Sequence, residues 1–88
     1  MPTYVVETYL TQGQRPDRLA REDRARAAAA ELTGEGTSVQ FEFAIHLPED
    51  ELCFFVFVAP APHQAALAAR RSGLDPIRVV EAVTTERI

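Results

Sequence analysis

The stretch Ser38–Ala59, SVQFEFAIHLPEDELCFFVFVA, decides the fold. Its first half alternates as a strand does. Val39, Phe41, Phe43, Ile45 and Leu47 fall on one side, with Gln40, Glu42, Ala44 and His46 on the other. From Leu52 onward both sides are apolar: Leu52, Phe54, Val56 and Val58 make one, Cys53, Phe55, Phe57 and Ala59 the other. A strand apolar on both sides is expected at the centre of a sheet. If Leu47 pairs with Leu52, the four residues Pro48, Glu49, Asp50 and Glu51 are left to turn the chain, and Pro48 takes the favoured second position of a type I turn. Ile45 then meets Phe54, Phe43 meets Val56 and Phe41 meets Val58, on the side expected to lie under the helices. His46 meets Cys53, Ala44 meets Phe55 and Glu42 meets Phe57 on the opposite side. A slip by one residue would bury Glu42, so the register is specified.

The rest of the chain builds outward from this hairpin. Thr3–Leu10 is rich in β-branched and aromatic residues and reads as a strand. A break at Thr11–Gln14 precedes a helix from Pro16 to about Leu32, which Gly34 and Gly36 end. The alanine run Ala27–Ala30 gives little amphipathic contrast and leaves the buried side of this helix open. Pro60 and Pro62 stop the third strand, since proline cannot donate to a ladder. A second helix is expected from Pro62 to Ser72, closed by Gly73 with Leu74 packing back. A last strand follows, from Ile77 to Thr84. The order β-α-β-β-α-β predicts an α+β, ferredoxin-like sandwich: a four-stranded antiparallel sheet with two helices on one face, strands one and three central.

At 88 residues the chain is expected to form a single domain, 1–88, with a core small enough that a partner subunit would help it. A composition 47% hydrophobic and 25% charged excludes disorder. The net charge is −4, and all nine cations are arginine. Five of them, Arg15, Arg18, Arg21, Arg24 and Arg26, alternate with Asp17, Glu22, Asp23 and Glu31, the pattern of a solvated helix rather than a nucleic-acid face. No apolar run reaches the length of about 18 residues needed to span a bilayer. A single cysteine makes no internal disulfide, and Met1 is not followed by a signal-like segment, so a cytoplasmic location is expected.

By this parity the open face of the sheet is expected to carry Glu7, Tyr9, Glu42, His46, Cys53, Phe55, Phe57 and Glu81. Glu81 would stand there with Val79 and Val83, leaving Val80 and Ala82 beneath the helices. Two phenylalanines on such a face call for a cover, either a second copy of the chain or a small-molecule ligand. A face-to-face homodimer would enclose Glu7 and Glu81, where paired acids could share a proton and act as a base. His46 and Cys53 together could hold a transition metal with Glu51 or a water, although two ligands fall short of a closed zinc set. Nucleophilic use of Cys53 would need His46 as base and an oxyanion hole, of which the sequence gives no sign. The expectation is therefore a dimeric ligand-binding or structural module with no cofactor.

Pro48-Glu49-Asp50-Glu51-Leu52-Cys53-Phe54, Ala59-Pro60, Arg71-Ser72-Gly73-Leu74 and Arg78-Val79-Val80-Glu81-Ala82-Val83 resemble a family of small bacterial ferredoxin-like proteins, with Glu7 and Glu35-Gly36 continuing the likeness over nearly the whole chain. Most members are of unassigned function, and one branch binds nickel. The resemblance implies the fold and dimerisation. The nickel branch carries Asp and His in the first strand and a further His in the second helix. Here the first strand reads Tyr4-Val5-Val6-Glu7-Thr8-Tyr9 and the second helix has His63 only at its start, so nickel stays an alternative and its site is not carried over.

Overall fold

The computed structural model describes residues 1–83 and Thr85. Strand β1 (Thr3–Tyr9) leads through a 3₁₀ turn at Gln12–Asp17 into helix α1 (Arg18–Gly34). Strands β2 (Gln40–Leu47) and β3 (Leu52–Val58) form the hairpin, helix α2 is Pro62–Arg71, and strand β4 is Pro76–Ala82. The expected end of the last strand, Thr84, lies outside the described residues. All pairings are antiparallel and the strand order is β2-β3-β1-β4, so the fold is the expected α+β, ferredoxin-like sandwich with β1 and β3 at its centre.

Local chemistry places the breaks. Gly36 and Gly73 take left-handed backbone with φ of 100° and 87°, which glycine accepts without a Cβ clash. Past α2, the Leu74 N–H donates to Ala69 O and the Gly73 N–H to Arg70 O, and Leu74 folds back into the core. The hairpin turn is a short 3₁₀ segment at Pro48–Asp50, after which Glu51 swings left-handed at φ 55°.

The hairpin register matches the sequence for Leu47 with Leu52, Ile45 with Phe54, Phe43 with Val56, His46 with Cys53 and Ala44 with Phe55. It departs at Glu42, where a bulge pairs Phe41 with Phe57 and Gln40 with Val58. The covered face is the reverse of the one expected. Cys53, Phe55 and Phe57 are 0% exposed and lie under the helices with Tyr4, Val6 and Phe41. Phe43 and Ile45 are 52% and 47% exposed on the other side.

The physical reason is volume. The helix surfaces turned to the sheet are built of alanine, Ala25, Ala28 and Ala29 on α1 and Ala65, Ala66, Ala68 and Ala69 on α2, with Leu32 the one large apolar side chain and Arg21 the one charged side chain among the buried helix residues. Close packing therefore needs bulky side chains from the sheet. The Phe55–Phe57 side supplies them, joined by Phe41, whose ring lies 6.1 Å from Phe55 and 5.4 Å from Phe57 between centroids. In β4 the sides are likewise exchanged: Val79, opposite Val6, packs against the core, while Val80, opposite Val5, faces outward.

Candidate functional site

The eight residues expected on one face divide between two. Glu7 and Tyr9 do stand on the open face, opposite Phe54 and Leu52 of β3. His46, Cys53, Phe55 and Phe57 lie on the helix side. Glu42 sits in the bulge, exposed, and Glu81 lies opposite Tyr4 on the helix-side parity of the edge strand, also exposed. Glu7 and Glu81 are thus on opposite sides of the sheet, which removes the paired-acid base.

Two arrangements result. The first is the open face itself, four cross-strand rows: Gln40–Val58–Thr3–Ala82, Phe43–Val56–Val5–Val80, Ile45–Phe54–Glu7–Arg78, and Leu47–Leu52–Tyr9. Its charged members are Glu7 and Arg78, which pair with each other at 3.3 Å. Apart from Gln40 and Thr3 at one end, the rest is a mainly apolar floor from which Phe43, Ile45, Leu47 and Tyr9 project into solvent.

The second arrangement lies under α1. Cys53 Sγ is 2.8 Å from His46 Nδ1, and His46 Nε2 is 3.0 Å from Glu22 Oε2. Burial pushes the Cys53 thiol up, Arg21 and Arg18 pull it partly back, and Glu22 raises it again. With the thiol as donor to Nδ1, a neutral imidazole carries its proton on Nε2 and donates it to Glu22. Phe55 holds the imidazole edge-on, centroids 6.0 Å apart. Arg21, only 6% exposed, donates to Tyr9 O at 3.1 Å and points Nη1 at Sγ from 3.9 Å.

A metal shared by these atoms was one expectation. With Zn–N and Zn–S bonds of about 2.0 and 2.3 Å, the two donors would stand roughly 3.5 Å apart. At 2.8 Å they are in hydrogen-bond contact instead, and among the described residues no group of three His, Cys, Asp or Glu is placed to hold a metal ion. The pair as placed does not match the donor spacing of a tetrahedral zinc site.

Glu22 and Arg21 were missed because the charges of α1 read as a solvated face. The signal was present: Arg21, Ala25, Ala28 and Leu32 follow the helical repeat, and extending the alanine stripe backwards places Arg21 on the buried side. The acids of the turn stand in solvent, while its backbone is anchored by Arg15 Nη2 donating to Pro48 O at 2.7 Å and by the Leu10 N–H donating to Glu51 O at 2.7 Å.

No helix among the described residues is long and apolar enough to cross a membrane. No family model matches the chain, and no curated protein is significantly similar to it. Among solved structures it is similar to SCO4226 from Streptomyces coelicolor A3(2), at 17% identity and a TM-score of 0.72, over 96% of this chain and 99% of that one. That likeness establishes the fold and nothing finer.

Proposed function

We propose that this chain is a self-associating module that pairs with a second copy of itself through the open face of its sheet. The observation that carries the reading is the continuous apolar floor of that face, with Phe43 and Ile45 about half exposed. An aromatic side chain covers about 150–250 Å² when fully buried. With Phe54, Ile45, Leu47 and Leu52 added to Phe43, each copy offers on the order of 500 Å² of apolar area, more than isolated hydrophobes on a monomer need explaining. Two such faces approach the ~1,000 Å² lower bound of a specific interface. At ~25 cal/mol/Å² this supplies at most about 25 kcal/mol, against an association cost of about 4–15 kcal/mol.

A second copy is favoured over an unrelated partner by charge. The open face carries one Glu7–Arg78 pair and is otherwise uncharged along its paired rows, so it is complementary to itself under a twofold axis. Sedimentation velocity tests the proposal. The wild type is expected at twice the chain mass at tens of micromolar, and Ile45→Glu at the monomer mass with an unchanged circular dichroism spectrum. A monomeric wild type, or a folded Ile45→Glu that still sediments as a dimer, would sink it.

A further inference from the structure

On the helix side of the sheet, away from the proposed interface, the residues around Cys53 are arranged as reacting parts are. A thiol is hydrogen-bonded to a base, the base to a carboxylate, and a buried cation points at the sulfur. We propose that Cys53 is a site of oxidation by hydroperoxides, with His46 as its base and Glu22 and Arg21 as positioning residues.

The order of contacts carries this. The thiol proton has a fixed destination, Nδ1 at 2.8 Å. The opposite ring nitrogen is held by Glu22, which keeps the tautomer that leaves Nδ1 free to accept and which stabilises the imidazolium once formed. Arg21 is the more telling member. A buried guanidinium ordinarily has an anion beside it. Among the described residues Arg21 makes no salt bridge; it bonds Tyr9 O and turns its remaining arm to Sγ. The charge that appears on sulfur as the proton leaves would meet that cation.

The step balances without a metal. The thiolate attacks one peroxide oxygen, an S–O bond forms and the O–O bond breaks. The departing alkoxide or hydroxide takes the proton held on His46, leaving as alcohol or water. Sulfur loses two electrons and the peroxide gains two. The product is Cys53 sulfenic acid, and with one cysteine in the sequence no internal disulfide can follow. Return to the thiol takes two equivalents of an external thiol, through a mixed disulfide.

The sulfur is 0% exposed, so the oxidant must be small. A cleft of about 220 Å³ beside the site is lined by Arg21 and by Thr8, the strand partner of Cys53, so it ends one side chain from the sulfur.

The competing description is an inert core cysteine shielded by its neighbours. The two differ in sign. If His46 only shields, removing it exposes the sulfur and speeds oxidation; if it is the base, removing it slows oxidation. The folded protein is treated with hydrogen peroxide, the peroxide is removed with catalase, and the chain is then unfolded in urea with dimedone so that the adduct at Cys53 is read by mass spectrometry. The wild type is expected to give one adduct, His46→Gln to react about tenfold more slowly or worse, and Glu22→Gln, a replacement at a partly exposed helix position, to fall between them. The proposal is overturned if the folded wild type gives no adduct under conditions where the urea-unfolded chain does. It is equally overturned if either variant, folded by circular dichroism, reacts as fast as the wild type or faster.

Discussion

Phe54 and Phe55 are neighbours in sequence and opposites in environment. Phe55 is fully enclosed between Phe41, His46 and the Arg21 guanidinium, which lies 5.7 Å from its ring centre. Phe54 looks out beside Ile45 and Glu7. Truncation separates the two faces. Phe55→Ala removes a ring from a site that alanine-faced helices cannot refill, and should cost about 3–5 kcal/mol. Phe43→Ala, on the exposed side, should cost under about 1 kcal/mol in a monomer. Urea denaturation at low protein concentration, where association contributes little, measures both; equal losses at the two positions would contradict the assignment of faces.

The turn and the bulge decide how the hairpin is set. Glu51 closes the turn in left-handed backbone, with its N–H donating to Pro48 O. A non-glycine residue in that conformation costs roughly 1 kcal/mol. Glu51→Gly should therefore gain up to about 1 kcal/mol and Glu51→Val lose a similar amount, both read as shifts in urea midpoint; a stabilising valine would contradict the geometry. The pairing of β2 with β3 was legible because four turn residues and Leu47–Leu52 leave one consistent register. Which face is covered was not. β3 is apolar on both sides, so it gives no vote, and strict alternation carried Phe41 along with Phe43. The bulge at Glu42 separates those two residues, and nothing in QFEF announces it. Glu7 held a usable clue. A charge in central β1 marks the outward side, and its partner there is Phe54, not Phe55. The His46–Cys53 contact was legible from register alone, whereas its extension to Glu22 and Arg21 required knowing how α1 is rotated.

Across the molecule, the two helices are tied at their C-terminal ends by Glu35 and Arg71, whose charged atoms are 2.7 Å apart. The hydrogen bond from Arg71 lowers the Glu35 carboxyl below its ordinary value of 4.5, against a smaller opposing effect of burial. A depressed carboxylate contributes its stability above the unfolded value and loses it as pH falls through the folded one. Thermal melts of the wild type and Glu35→Gln should therefore differ near neutrality and converge in acid, with the neutral difference shrinking in high salt because the pair is exposed. A gap that persists unchanged into acid would show that the pair is not its source.

The bulge at Glu42 has one further effect. It sits on β2, whose outer edge has no strand beside it among the described residues and whose Phe43, Ile45 and Leu47 would otherwise make a flat template for adding strands. An irregular backbone bearing an acid interrupts that template. Edge-to-edge addition of strands, the route to amyloid-like fibres, is disfavoured there, while the broad surface of the sheet is left free.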